Sequence, residues 1–467
     1  LNILKKGGNN ILCPYSPAHI QDLLKGSDKT INLEFIRRDL NLLNEISKNH
    51  NFQLNFNTNL VEPKFSSAHG LFDGYVESRK RPFLNPDHIL QTNNEQVDWI
   101  AKTMTSSWKI MPVDIDFTKF DNDPQVKKIF ASYFKRTRDS KTMYNFMHDF
   151  SEFFQELNEK PEVFTKIVNL FRAQSGIDPK LVSNFKNPFE ELKAILSNSK
   201  SGFDFEKLIM QEEYNKNKPL NNKLTKFSLQ YTGLDLGGFH PDTINKKNLF
   251  SNFTNDAHHA FYAAHCDFFV SHEKKLLKKA KAVYELNGAQ TIVLNPNEFI
   301  EYFKEIFNQP FDATHLFESI HEAFKTSSSE KINDRGHENT NLWLYQPEKR
   351  ILAYFNFIYL RIHESGRQTI FLRHVQKNFS TFSLFAEIES IVNKLGDIFG
   401  EDLTAQKKFG INDQEELEKS SWTGRAWVIN GYFIALQSDE LTSGITLTLE
   451  QITDDYIEEL NNMVSSP

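Results

Sequence analysis

The sequence predicts a mixed α/β chain, in which a parallel-sheet core is interrupted by a large helical insertion and followed by an α+β domain. Three observations lead there. Residues 250–305 alternate short apolar strands with helices, the pattern of a parallel sheet covered on both faces. From about 75 to 225 the chain reads as mainly helical, broken by polar stretches such as Ser197-Asn198-Ser199-Lys200-Ser201-Gly202. Beyond a polar segment at 325–340, β-type runs flank one strong helical segment. The expected domains are 1–75 with 226–310 as the α/β core, 76–225 as the helical insertion, and 338–467 as the α+β domain.

Taken in order, Leu1 to Lys6 reads as the end of a helix closed by Gly7-Gly8, which points to further residues upstream. Asn10-Ile11-Leu12-Cys13-Pro14-Tyr15 reads as a short buried strand. Ser16 then offers an N-cap and Pro17 suits the first turn of a helix reaching about Lys25, where Gly26 stops it. A second helix is expected over 32–50, with Leu33, Ile36, Leu40, Leu43 and Ile46 on one face. Within the insertion, Val126–Phe130 and Val163–Phe171 fit helical spacing. Asp256 to His265 reads as a helix whose Ala260, Ala263 and Ala264 permit close packing on a sheet, and 268–271 as a strand. Glu273 to Leu286 is a basic amphipathic helix ended by Asn287-Gly288. A strand at 291–294 and a helix at 296–307 follow. In the last domain, strands at 342–346, 351–362 and 369–374 precede a helix at 383–399. Strands at 426–436 and 444–449 then lead into an acidic helix.

At 467 residues, two or three compact units are expected. The net charge of −7 gives no global positive field, so any nucleic-acid binding must use local patches. Cys13 and Cys266 are the two cysteines, far apart, which argues against a disulfide framework and for a reducing, cytoplasmic setting. No apolar run approaches the roughly 18 residues of a spanning helix.

In an open parallel sheet, ligands bind at the carboxyl ends of the strands. Three acids are expected there. Asp22 lies in the helix after the first strand, Asp256 starts its helix, and Glu273 follows the strand 268–271 with only His272 between. Oxygen ligands of this kind suit Mg²⁺ or Mn²⁺. The plainer account is that Asp256 caps a helix and Glu273 complements a helix dipole. His19, His258, His259, His265 and His272 cluster around these positions and are expected to support the site rather than to ligate metal. Cys266 is expected to be a small buried residue, and Trp422-Thr423-Gly424-Arg425-Ala426-Trp427 a core anchor.

The stretch Asn255–Lys275 resembles the closing motif of PIN-like nucleases: an acid opening a helix of small residues, an apolar strand, a Ser or Thr, and a second acid two positions on. Here these are Asp256, Ala260 with Ala263 and Ala264, Phe268-Phe269-Val270, Ser271 and Glu273. Tyr15-Ser16-Pro17-Ala18-His19-Ile20-Gln21-Asp22 is similar to the family's second strand and the helix that supplies its next acid. The resemblance covers 10–50 and 250–305, and neither the insertion nor the last domain. It implies a PIN-like core with Asp22, Asp256 and Glu273 as catalytic, metal-holding acids and Asp267 as a further acid of the metal set. It implies Mg²⁺ or Mn²⁺ as cofactor and phosphodiester hydrolysis, with RNA preferred over DNA. Two departures favour the alternative of a catalytically degenerate scaffold that binds nucleic acid or a protein partner. The family's first aspartate belongs to a strand before Leu1, and Glu273 stands where the family usually has Asp.

Basic residues follow the acids. Lys274, Lys275 and Lys278, with Lys279 and Lys281, are candidates to hold a phosphate backbone. A second basic run, Lys127, Lys128, Lys135, Arg136, Arg138 and Lys141, is interleaved with Phe130, Tyr133 and Phe134. The last domain is expected to recognise substrate, bind a regulatory protein partner or restrain the core.

Overall fold

The computed structural model of the chain describes residues 11–25, 33–55, 57–79, 106–113, 124, 127, 132–199, 223–242, 250–308, 312–333, 340–374, 384–419, 421–439 and 444–452. Residues 12–295 form one compact unit and residues 296–467 lie in the other.

In the first unit, helix α1 (Pro17–Leu24) begins as its sequence dictates. Ser16 is the extended N-cap, its backbone N–H donates to His19 Nδ1 at 3.1 Å, and its hydroxyl lies 3.0 Å from the same nitrogen. Helix α2 (Leu33–Ser47) buries Ile36 and Leu40 against Ala68 and Phe72 of α3 (Ala68–Arg79) and against Ile20 and Leu24 of α1. The helix expected to reach residue 50 stops at Ser47, because Lys48 and Asn49 take left-handed conformations (φ 50° and 64°) that turn the chain. That turn leads into a hairpin of β1 (His50–Asn55) and β2 (Leu60–Phe65), which the sequence pattern did not reveal. The expected strand at 10–15 reduces to one parallel bridge from Tyr15 to Asn51, with Tyr15 N–H on His50 O at 3.1 Å and Phe52 N–H on Tyr15 O at 2.8 Å. Pro14 has no N–H with which to lengthen the ladder.

The described residues in the middle of this unit are mainly helical: α4 (Met143–Glu159), α5 (Pro161–Ser175), α6 (Pro188–Ser197) and α7 (Lys223–Leu236). The run 163–171 lies within α5, whereas 126–130 falls largely outside the described residues. Helix α8 (Phe250–Ala263), strand β3 (Phe268–Val270), helix α9 (Lys274–Asn287) and strand β4 (Ile292–Leu294) follow the predicted alternation. β3 and β4 pair in parallel, Phe268 opposite Ile292, joined by the α9 crossover that parallel strands require. Gly288 closes α9 at φ 67°. Among the described residues the parallel sheet consists of these two strands, and residues 11–15 are not part of it.

The second unit begins earlier than the polar segment expected to open it. It starts with α10 (Pro296–Asn308) and α11 (Ala313–Thr326), because Leu316 and Ile320 of α11 belong to its core. The strands are β5 (Ser329–Ile332), β6 (Thr340–Tyr345), β7 (Phe357–His363) and β8 (Gln368–Arg373). Helices α12 (Leu384–Phe399) and α13 (Ile411–Glu418) come next, then β9 (Arg425–Ile429), β10 (Tyr432–Asp439) and β11 (Gly444–Gln451). These strands form a seven-stranded antiparallel sheet in the order β5-β6-β7-β8-β11-β10-β9. One face packs Ile358, Leu372, Leu436 and Leu447 against α11 and α12. The run 426–436, expected as one strand, is split by Asn430-Gly431, both at positive φ (50° and 80°), the two-residue turn of a tight hairpin. The run 351–362 opens with a turn at Leu352-Ala353, also at positive φ, so its strand starts at Phe357. At one edge, β5 exposes Glu330 and Lys331. At the other, Leu403 N–H occupies the outward carbonyl of Ala426 at 2.8 Å. The acidic helix expected after residue 450 lies outside the described residues. No helix among the described residues is long and apolar enough to cross a membrane.

Candidate functional site

Helices α1, α7, α8 and α9 of the first unit carry the ionisable side chains of the candidate site. On α9, helical spacing places Lys274, Lys275 and Lys278 on the exposed face and Lys279 on the buried face with Leu276, Ala280 and Val283. The Lys279 side chain is 0% exposed, and its ammonium donates to Asp235 Oδ2 at 2.5 Å and Asp242 Oδ2 at 2.6 Å. It also lies 4.8 Å from the centre of the Tyr231 ring. Burial alone would lower the Lys279 pKa, but the two carboxylates more than offset it and the pKa rises. Asp235 is in the last turn of α7, whose terminal carbonyls at Asp235 and Leu236 accept from Arg172 of α5 at 2.6 and 3.0 Å. Gly238, at φ 85° against Pro179, then turns the chain so that Asp242 N–H reaches Asp235 Oδ1 at 3.1 Å.

Asp256 and Glu273 face this cluster. Asp256 is not the opening residue of its helix: α8 starts at Phe250, so Asp256 sits in its second turn. The cap reading of Asp256 therefore fails, and its neighbour Asn255 points its amide at α1. Burial pushes the Asp256 carboxyl up to about 7, the charge of Glu273 adds to the shift, and Lys279 opposes it. Glu273 is exposed at the N-cap of α9 without capping it, its own N–H donating to Ser271 Oγ at 3.1 Å. Tyr231 is fully buried in the same place. Its hydroxyl has no hydrogen-bond partner among the described residues, and burial followed by the charges of Asp256, Asp235, Asp242 and Glu273 raises its pKa.

Asp22 joins from α1. Asn255 Nδ2 donates to Asp22 Oδ1 at 2.6 Å and to Ala18 O at 3.1 Å, which fixes the orientation of the amide and leaves buried Asn255 Oδ1 without a partner among the described residues. His259 Nε2 lies 2.8 Å from Asp22 Oδ2, Lys25 donates to Oδ1 at 2.6 Å, and the His19 ring meets His259 edge-on at 4.6 Å. Desolvation pushes the Asp22 pKa up, but the hydrogen bonds from His259 and Lys25 outweigh it and the carboxyl sits below its ordinary range. His19 and His258 are pushed down by burial, to about 3 and about 4, and are therefore neutral imidazoles at pH 7. His259 thus partners Asp22, and His19 closes the capping box at the start of α1.

Asp256 and Glu273 lie in each other's field, whereas Asp22 is linked to them through Lys25, which bonds Asp22 while its charge reaches Asp256. What brings the Asp22 helix to the Asp256 helix is the packing of α8 on α1, not the shared parallel sheet that the sequence suggested. Asp267 is the exception. It precedes β3 at its amino end, the opposite end of the strand from Glu273. Lys275 reaches back to Pro241 O at 2.5 Å, while Lys274 and Lys278 remain exposed. Cys266 is half-buried, its thiol pushed well up by burial, consistent with a packing role. Among the described residues, no three His, Cys, Asp or Glu side chains are grouped so as to hold a metal ion. The residues missed in sequence were Tyr231, Asp235, Asp242 and Asn255. The available signal was Lys279, a lysine falling on the apolar face of an amphipathic helix. Comparison with family models, with curated proteins and with solved structures finds no match to the chain.

Proposed function

We propose that the chain is a divalent-metal-dependent endonuclease of PIN-like type that hydrolyses phosphodiesters, with RNA the preferred substrate. One observation carries this reading: Asp256 and Glu273 lie in each other's field beyond the carboxyl end of β3, and burial first and the charge of Glu273 second hold the Asp256 carboxyl up to about 7, against the opposing charges of Lys279 and Lys25. Asp22, Asp256, Glu273 and the unpartnered Asn255 Oδ1 are hard oxygen donors of the kind Mg²⁺ or Mn²⁺ takes, and they are the residues that would hold it. A bound cation of this type lowers the pKa of a water and neutralises charge on a leaving oxygen. The chain's own groups prepare the site. The Lys279 ammonium is committed to Asp235 and Asp242, so that Asp256 and Glu273 are the carboxylates without a bond from that lysine. Exposed Lys274 and Lys278 extend along α9 from Glu273 and suit phosphate oxygens. The preference for RNA rests on the resemblance at 10–50 and 250–305 alone.

The test is cleavage of labelled single-stranded RNA with Mg²⁺ or Mn²⁺. Cleavage should stop with EDTA and be lost in Asp256→Asn, which removes charge at nearly constant shape. Equal cleavage by wild type and variant would overturn the assignment. A second reading, a scaffold without catalysis, is favoured by Asp22, whose oxygens are already engaged by Asn255, His259 and Lys25. Cation-independent RNA binding without cleavage would establish it.

A further inference from the structure

Strand alternation sends Ile358 and Leu372 into the core beneath α11 and α12, and by the same alternation places Tyr359 and Arg361 of β7, and Phe371 and Arg373 of β8, on the opposite face. Tyr359 stands directly opposite Phe371 in the register. The Arg361 guanidinium lies over the Phe371 ring at 4.9 Å, and that of Arg373 over the Tyr359 ring at 5.8 Å. Each strand therefore carries the spacing aromatic-x-arginine, and the antiparallel pairing relates the two copies by a local twofold. Phe357 and Phe433 fall on the same face by register. Tyr359, Phe371 and Phe433 take no part in the core cluster on the other side of the sheet, and all three are half-buried. On β7 and β8 this face carries the Arg361 and Arg373 guanidinium groups and the His363 imidazole. Glu450 of β11 is held by Arg367 at 3.1 Å and by the Thr369 hydroxyl at 3.1 Å, and Glu330 stands at the β5 edge.

Packing alone would be served by aliphatic side chains, and solvation alone by polar ones. Rings interleaved with guanidinium groups suit a ligand that offers flat π surfaces and negative charge in alternation, as a single polynucleotide strand does. We propose that this face of β7 and β8 binds single-stranded nucleic acid, bases stacking on Tyr359 and Phe371 and phosphates meeting Arg361 and Arg373. The site lies wholly within residues 296–467 and stands whether or not the acids of the first unit are catalytic.

The test uses the full chain and a fluorescein-labelled 12-residue oligouridylate in EDTA, followed by fluorescence anisotropy across a salt series. Replacing both arginines, Arg361→Gln with Arg373→Gln, should weaken binding at least tenfold. It should also flatten the log–log salt dependence by about 1.4, at roughly 0.7 for each phosphate no longer neutralised. Phe371→Leu keeps an apolar side chain and removes the ring. It should weaken binding about fivefold or more with the salt slope unchanged. Thermal unfolding at the wild-type temperature confirms that each variant is folded, and Tyr359→Leu repeats the ring test on the neighbouring strand. Wild-type affinity in the arginine variant overturns the proposal. Loss in the arginine variant with no loss in either ring variant, and equal competition by polyglutamate, also overturns it and indicates an acidic protein segment instead.

Discussion

The amide of Asn255 on α8 donates to the carboxylate of Asp22 on α1 at 2.6 Å, across 233 positions of sequence. A second bond from the same nitrogen, to Ala18 O, makes Asn255 the clasp between the two helices. Two acids assigned to one site by sequence, Asp22 and Asp256, are brought near each other by this neutral residue.

Removing the clasp should therefore cost stability before it costs chemistry. Asn255→Ala deletes two buried hydrogen bonds and should lower the stability of the first unit by about 1–3 kcal/mol in urea unfolding. Asn255→Asp should cost more, since it sets a second carboxylate against Asp22. Wild-type stability for the aspartate variant would show that the amide is not the donor.

Asp256 gives the protein a distinctive pH dependence. An acid with a raised folded pKa holds more protons folded than unfolded between the two values, so stability falls as pH rises from 3.8 to about 7. The loss is about 1–3 kcal/mol once partial solvent screening is allowed for. Asp256→Asn should flatten this slope and make the protein more stable than wild type at pH 8. Millimolar Mn²⁺ should do the same to the wild type, because a cation favours the ionised carboxyl. Asp22 has the opposite sign: its depressed pKa contributes stability above its ordinary 3.8 that is lost on acidification. Parallel stability curves for wild type and Asp256→Asn between pH 4 and 8 would remove the basis for the coupled pair.

Lys279→Met leaves Asp235 and Asp242 buried or half-buried beside each other without their cation. Destabilisation of about 3–5 kcal/mol is expected. The double variant Lys279→Met with Asp235→Asn should recover part of it, measured by the same unfolding assay. Additive losses in the double variant would show that the two residues do not act as a pair.

In the second unit, Gly424 has φ 87° and a Cβ there would collide with the carbonyl oxygen of Leu436. Gly424 precedes Arg425, which bonds Asp402 at 2.6 Å and also pairs with Asp413, itself the acceptor for the Trp422 indole at 3.0 Å. Gly424→Ala should destabilise this unit by about 1–3 kcal/mol or more. Hydrogen exchange should report loosening of residues 400–427 rather than of β7 and β8. Unchanged protection there would mean that the strand entry accommodates a side chain.

Much of the local structure was legible. Ser16-Pro17 fixed the start of α1, Asn287-Gly288 the end of α9, and the short apolar runs at 268 and 292 the parallel pair. What failed was non-local. Asn51 looks like a loop residue, yet inside β1 it is buried and its amide bonds Lys64 O at 3.2 Å and Ser66 Oγ at 2.7 Å. Asp256 looked like a cap because the helix start at Phe250 was not visible, and the acceptors of its neighbour Asn255 lie on a helix more than two hundred residues away. Asn430-Gly431 was a local signal for a hairpin that the run of apolar residues around it concealed. At the site, Asp22, Asp256 and Glu273 were legible as acids near helix starts or strand ends, whereas Tyr231, Asp235 and Asp242 become relevant only through Lys279. Asp267 was misplaced by the same local pattern, since acidity near a strand does not say at which end of the strand the acid lies.

The two edges of the seven-stranded sheet carry a consequence for how the molecule behaves when crowded. At β5 a further strand would have to lie along four residues, two of them exposed and oppositely charged. At β9 the outward carbonyl of Ala426 is already taken by Leu403. Neither margin is a good template for an incoming chain, so sheet-to-sheet polymerisation is obstructed at both ends of this unit. Concentrated or gently heated samples should therefore lose material through exposed apolar surface rather than through ordered fibrils, with little thioflavin fluorescence accompanying the turbidity.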